Sequence, residues 1–244
     1  MVSGGCSPTE SHSARGLSRQ DPARRSHRSR GAWLPLLQES RTRASFGRRS
    51  LPAPRRDALL VGAGAVGRLA ARAIVAQLPI ERLTVWNRTA ARADALVHEL
   101  DSSGVVKARF ASALEPEVRR HRVIVTATAS TTPLIKAAWV AKGTHITSVG
   151  TGSPEKVELE PELLLKADKV IADRVAQTER YGNLHHAIAA GVVKPEQMYG
   201  ELGDLAAGRL PGREQESEIT IADLTGVGVQ DAAIAAVVVE ALGL

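Results

Sequence analysis

One stretch limits the folds open to this chain more than any other: Leu59-Leu60-Val61-Gly62-Ala63-Gly64-Ala65-Val66-Gly67, an apolar run that breaks into glycines and continues as an alanine-rich helical pattern. It reads as strand, tight turn and helix. Gly62 suits the sharp turn, Gly64 lets bare backbone approach a pyrophosphate, and Gly67 permits close packing of helix on strand. The helix over 66–77 then aims its unpaired N–H groups and the positive end of its dipole at that anion. Taken alone, the spacing also fits a glycine-rich turn that holds no ligand. A second strand at Leu83-Thr84-Val85-Trp86 narrows this, because it completes the βαβ unit that the motif requires.

Downstream, short apolar runs alternate with helical patterns, the texture of a Rossmann-type α/β fold: a doubly wound, mostly parallel sheet with flanking helices. The reading gives helices over 90–100 and 113–119, a third strand over 106–110, and a fourth at Arg122-Val123-Ile124-Val125-Thr126-Ala127-Thr128. That fourth run is β-branched and apolar enough to be buried on both faces. A helical turn over 133–140 precedes a fifth strand, His145-Ile146-Thr147-Ser148-Val149, and the sixth is Lys169-Val170-Ile171-Ala172-Asp173. Helices are expected over 184–190, 199–207 and 231–242. The folded unit is therefore 57–244, with 1–56 before it.

Charge sharpens that boundary. The chain of 244 residues carries a formal +6, but residues 1–56 hold 12 arginines, no lysine and three acids, so the rest is mildly acidic. The leading segment has too few apolar residues to offset its ordering entropy and is read as disordered. Its plain reading is a tail of no structural role; an organelle transit peptide and a basic nucleic-acid arm are the alternatives. No interleaved aromatics or binding fold favour the arm, so no nucleic-acid partner is expected. Cys6, the single cysteine, excludes an intramolecular disulfide. No apolar run is long enough to span a bilayer, so no membrane is expected, and the location is read as cytoplasmic.

In such sheets ligands lie beyond the carboxyl ends of the strands, where strand order reverses. That nominates the glycine turn, Asn87, Thr128 and 149–152. After the second strand an NAD site usually presents an acid to the ribose hydroxyls. Here it is Asn87-Arg88-Thr89. A neutral amide with an adjoining guanidinium and hydroxyl suits a 2′-phosphate, which arginine can bind bidentately, so NADP is expected over NAD.

The pattern Gly62-Ala63-Gly64, Thr126-Ala127-Thr128, Gly143-Thr144-His145-Ile146, the segment 154–159, Gly200-Glu201-Leu202-Gly203-Asp204, Gly208-Arg209-Leu210-Pro211-Gly212-Arg213 and Gly226-Val227-Gly228-Val229-Gln230-Asp231 resembles the ornithine cyclodeaminase and mu-crystallin family. Ala172-Asp173-Arg174 and His185-His186-Ala187-Ile188 look most like its ectoine-utilisation members. The resemblance implies dinucleotide contacts at Ala65, Val66, Asn87, Thr128, Val149, Gly150, Thr151, Lys156, Leu224 and Thr225. It implies a C-terminal helix, about 216–244, that packs back toward a substrate domain. It also implies an amino acid or cyclic imine as substrate, and either imine reduction or deaminating cyclisation, with hydride carried by the nicotinamide.

Two departures qualify the transfer. Cyclodeaminases of the family carry an aspartate at the position of Gly152, which has no side chain for acid–base work. This tilts the expectation toward reduction; Glu155 or Asp173 could substitute only if the fold brings one to the nicotinamide. Family members also carry, before the glycine turn, a domain supplying a Lys–Arg pair and the homodimer surface, and 1–56 does not read as one. The expectation is a nucleotide-binding half without its substrate half or dimer surface, with catalytic residues unassigned; a nucleotide-binding module without turnover is the alternative.

Some conspicuous residues have plain readings. His185 and His186, adjacent on a helix, should point apart, and no metal site is expected. Trp86 and Trp139 read as packing, and 214–218 as a solvated loop. Ser130-Thr131-Thr132 could line the cofactor site or cap a helix beginning near Pro133.

Overall fold

The computed structural model describes residue 1, residues 56–228 and residues 232, 235, 236, 239, 240 and 242. The expected disorder of 1–56 and the expected helix over 231–242 lie almost wholly outside the described residues.

The first strand, β1 (Asp57–Val61), sends Leu59 and Val61 to one face and Ala58 and Leu60 to the other, all four fully buried. A central parallel strand needs apolar residues on both faces for this reason. Helix α1 (Ala65–Gln77) buries Gly67, Ala71 and Ile74 and stops before Pro79, which cannot continue a helix. There follow β2 (Arg82–Trp86), α2 (Ala90–Ser102), β3 (Lys107–Phe110), α3 (Leu114–Arg120), β4 (Val123–Thr126) and β5 (His145–Ser148). The remainder comprises α4 (Pro161–Lys166), β6 (Lys169–Ala172), α5 (Val175–Thr178), α6 (Gly182–Ala189), β7 (Gly200–Glu201), α7 (Leu202–Ala206) and β8 (Thr220–Asp223).

The eight strands form one wholly parallel sheet in the order β3-β2-β1-β4-β5-β8-β6-β7. The chain leaves β1 on one side to build β2 and β3, then returns to place β4 on the other, so strand order reverses between β1 and β4. One face packs on α1 and α2 through Ala71, Ile74, Ala93 and Leu96. The opposite face packs on α3, α4 and α6 through Val118, Leu163, Leu164, Leu184 and Ala187. The doubly wound fold expected from the sequence is therefore the fold observed, and Trp86 and Trp139 pack against the second of these cores.

Several local expectations are corrected. The start of the stretch read as C-terminal helix, about 216–244, is β8, inserted between β5 and β6. His145 bonds Thr220 Oγ1 through Nδ1 (2.8 Å) across the β5–β8 pair, and burial pushes its imidazole down to about 4, so it is neutral there. The segment 199–207 begins with β7 before α7, because Tyr199 and Gly200 pair along β6 rather than entering the helix. The turn expected over 133–140 is a 3₁₀ turn at Ala137–Trp139, and Ser130 caps no helix: its hydroxyl donates to Thr132 O at 2.7 Å. The acidic run 214–218, by contrast, is the solvated loop expected, exposed from Glu214 to Ser217; Glu214 pairs with Lys169 at 2.6 Å, and Arg213 donates to Glu218 O at 2.8 Å.

Candidate functional site

The glycine turn after β1 divides its work among three residues. Gly62 has φ +111°, a backbone conformation that side chains rarely adopt, and a Cβ there would stand 2.5 Å from Ala127 O. A Cβ on Gly67 would overlap Gly62 O, so helix and strand approach as closely as they do only because it is absent. At Gly64 a Cβ would meet nothing within 4 Å among the described residues. That face is open, and the α1 ladder begins only at Arg68 N–H, which donates to Gly64 O at 2.9 Å. The earlier N–H groups of the first turn have no partner among the described residues and could meet an anion, and Ala65 and Val66 are exposed beside them.

The other nominated residues follow along the same sheet edge in strand order. Beyond β2, Asn87 accepts from Ala63 N–H (3.1 Å) and donates to Thr89 O (2.9 Å), so it braces the glycine turn against the next loop. Arg88 and Thr89 are exposed next to it, and Arg88 makes no ion pair or hydrogen bond with a described residue. Beyond β4 comes Thr128, and beyond β5 come Val149, Gly150 and Thr151. A Cβ on Gly150 would overlap Thr128 O, so these two strand ends touch. Leu224 and Thr225 continue β8, where Leu224 N–H donates to Ser148 O at 2.9 Å. Thr225 closes the row: a Cβ on Gly152 would stand 3.5 Å from Thr225 O, an ordinary contact, so the backbone there tolerates a side chain. Lys156 sits in the loop between β5 and α4, its carbonyl hydrogen-bonded to His186 Nε2 at 3.1 Å. Beside Thr225, which accepts from Gln177 Nε2 at 2.8 Å, opens a recess of about 310 Å³ lined by Arg174, Arg180 and Tyr181.

Beneath the row lies a buried polar network that the sequence reading missed. Glu158 is fully buried and forms no ion pair among the described residues; its carboxylate instead accepts five hydrogen bonds. Thr128 N–H (2.6 Å) and Thr128 Oγ1 (2.8 Å) donate to Oε1; Thr126 Oγ1 (2.6 Å), Ser148 Oγ (2.7 Å) and Gly150 N–H (3.1 Å) donate to Oε2. Asn183 Oδ1 takes the backbone N–H groups of Glu158 and Leu159, each at 2.9 Å, and its Nδ2 donates to Ser148 Oγ and Asp223 Oδ1. Burial pushes the Asp223 carboxyl up to about 6. Hydrogen bonds from Leu184 N–H and Asn183 oppose the shift, and the charges of Asp173 and Glu158 add to it. The available signal was a lone polar residue among apolar ones, as in Val157-Glu158-Leu159 and Gly182-Asn183-Leu184.

The two candidate stand-ins for a carboxylate at position 152 are placed for other work. Glu155 is exposed and takes a hydrogen bond from Ser153 Oγ at 2.6 Å. Asp173 is buried and accepts from Thr225 N–H (2.9 Å), Gly226 N–H (2.6 Å), Thr225 Oγ1 (3.1 Å) and Arg174 N–H (2.9 Å). His185 and His186 do not point apart: their rings meet edge to face with centroids 5.3 Å apart.

This arrangement has relatives. Residues 52–243 match the family model for the ornithine cyclodeaminase/mu-crystallin family. An uncharacterized cyclodeaminase, y4tK, of Sinorhizobium fredii is 40% identical over 178 residues, which are 73% of this chain and 54% of that protein. A delta(1)-pyrroline-2-carboxylate reductase of Paracoccus denitrificans is 34% identical over 193 residues, 77% of this chain and 60% of that one. Among solved structures, an archaeal alanine dehydrogenase dimer with bound NAD superposes with a TM-score of 0.72 at 32% identity, covering 83% of this chain and 63% of that one. The chain thus spans between half and two thirds of the length of these relatives.

Proposed function

This chain belongs to the ornithine cyclodeaminase/mu-crystallin family, and from that premise we propose that its sheet edge binds a nicotinamide dinucleotide, NADP in preference to NAD, for the reduction of a cyclic imine carboxylate. The observation that carries the cofactor reading is the open face at Gly64, where bare backbone and the unspent N–H groups of α1 leave room for a diphosphate. On this reading Gly64, Ala65, Val66 and Gly67 hold the diphosphate through main-chain N–H groups. Arg88 and Thr89 take the adenosine end, with Asn87 fixing the loop that carries them. Thr128, Val149, Gly150, Thr151, Leu224 and Thr225 line the nicotinamide end, and Lys156 approaches from the loop beyond β5. When bound, the nicotinamide supplies the hydride; this chain's residues bind and orient it.

The preference for NADP rests on Arg88, a solvent-facing guanidinium without a described partner where an acid would repel a 2′-phosphate. The alanine dehydrogenase neighbour binds NAD, so the preference is a property argued for this chain alone. Reduction is favoured over deaminating cyclisation because Gly152 offers no carboxylate, Glu155 faces solvent and Asp173 is committed to backbone N–H groups. A nucleotide-binding role without turnover is supported by the same commitment of Asp173, and one experiment separates the two. The protein is titrated with NADPH and NADH by nicotinamide fluorescence, then given pyrroline-2-carboxylate or piperideine-2-carboxylate. Tighter NADPH binding, weakened about tenfold or more by Arg88→Ala while NADH binding is unchanged, supports the cofactor reading. Oxidation of NADPH with the imine supports the reductase; binding without oxidation supports the module.

A further inference from the structure

We infer that Glu158 is a positioning residue of the dinucleotide site, its buried carboxylate holding Thr128 and Gly150 together where the β4–β5 ladder has ended. The inference rests on the cofactor reading above. Thr126 and Ser148 are register partners in that ladder, and the rung just beyond them is Val149 N–H to Thr126 O at 2.9 Å. Past it, backbone pairing between the two segments stops. Both strand ends must stay close, since a Cβ on Gly150 would overlap Thr128 O and stand 2.6 Å from the Glu158 carboxyl carbon.

Glu158 supplies the missing rungs. Its carboxylate straddles the last register pair, taking Thr126 Oγ1 and Ser148 Oγ, and reaches two residues beyond on each strand to take the N–H groups of Thr128 and Gly150. Its own backbone is clamped by Asn183 Oδ1, so the acceptor does not drift. A buried, unpaired carboxylate is a costly way to fill space, and an apolar residue would fill it more cheaply. Only an acceptor with several lone pairs can hold five donors converging from two strand ends. The cost is explained if the separation of those ends matters to what binds above them.

The test compares NADPH dissociation constants for the wild type, Glu158→Gln and a control, Leu163→Ala. Leu163 is a fully buried residue of α4, and its truncation destabilises the core without touching this network. Glutamine keeps the shape but turns one acceptor oxygen into a donor, so it cannot satisfy both groups of hydrogen bonds. At a temperature where all three are folded by circular dichroism, Glu158→Gln is expected to weaken NADPH binding about tenfold while Leu163→Ala leaves it unchanged. A change below threefold for Glu158→Gln, or an equal change in the control, overturns the inference while leaving the cofactor reading intact. A wild type that binds neither NADPH nor NADH overturns both. Should Glu158→Gln fail to fold, amide exchange on the wild type decides. Thr128 and Gly150 N–H groups already protected about a hundredfold or more without cofactor support pre-positioning; fast exchange that slows only on adding NADPH overturns it.

Discussion

Replacing Gly67 or Gly64 with alanine adds the same methyl group to the same turn, and the two substitutions should fail in different ways. At Gly67 the methyl would overlap Gly62 O, a backbone atom held in the turn that no rotamer change can move. Overpacking of this kind costs about 1–3 kcal/mol, while the better helix propensity of alanine returns up to about 1 kcal/mol. Because the overlapped atom is backbone, the cost lies at the upper end of that range, and the net loss of about 2 kcal/mol corresponds to a fall in Tm of roughly 4–8 °C for a domain of this size. At Gly64 the backbone is ordinary (φ −78°, ψ −169°) and a Cβ meets nothing within 4 Å among the described residues. Alanine there costs only the modest penalty of a poorer N-cap, so Tm should fall by no more than about 2 °C. The methyl would nevertheless stand in the open face at the α1 N-terminus, and NADPH affinity should fall about tenfold or more. Differential scanning fluorimetry and fluorescence titration on both variants measure the two quantities. Gly64→Ala that binds NADPH within threefold of wild type would show that no diphosphate lies against this backbone, and the assignment of the turn would fall with it.

Other substitutions probe the polar network. Asp223 holds its proton up to about pH 6 in the folded state against about 3.9 in an unfolded chain, so the folded form binds more protons between those values. Its contribution to stability is therefore present below about pH 4 and lost as pH rises through 6, a swing of up to about 3 kcal/mol. The urea-midpoint difference between wild type and Asp223→Asn should move against the wild type over that range, and a flat difference would contradict the shift. Asn183→Ala strips acceptors from two buried N–H groups and a donor from Asp223 and Ser148. It should cost about 3 kcal/mol or more and lower Tm by at least roughly 6 °C in a thermal melt. Gly152→Asp should leave Tm within about 2 °C because the site admits a side chain. If the missing carboxylate is what withholds deamination, it should also raise ammonia release from a diamino acid, measured by a coupled assay.

The parts of the fold legible in the sequence are those whose signals are local. β1, β4 and β6 are runs buried on both faces, and the helices between them carry spaced apolar residues ended by turn chemistry, as at Pro79 after α1. β8 escaped because Thr220–Asp223 follows directly on the acidic run 214–218 and the resemblance assigned the whole stretch to a C-terminal helix. What makes it a strand is non-local: β5 and β6 leave a gap that Thr220–Asp223 fills, with Thr220 Oγ1 meeting His145. The 3₁₀ turn at Ala137–Trp139 escaped for a related reason. Ile135 is held beside Leu159 by a parallel bridge, which keeps the preceding residues extended.

The site divides along the same line, and the division has a physical origin. On the proposed reading the diphosphate is met by main chain, and main chain can be exposed only where side chains are missing, so the glycine spacing would record such a site directly. At the opposite end the row is shaped by side chains that converge from β4, β5, the loop between β5 and α4, and α6: Thr126, Ser148, Glu158 and Asn183 come from four segments that no spacing rule relates. Each looks like an isolated polar residue until the sheet brings them together. Asn87 belongs to neither class: its position after β2 was readable, but its amide faces inward to Ala63 N–H and Thr89 O. On the proposed reading the adenosine end therefore falls to Arg88 and Thr89, the next residues, whose side chains are exposed.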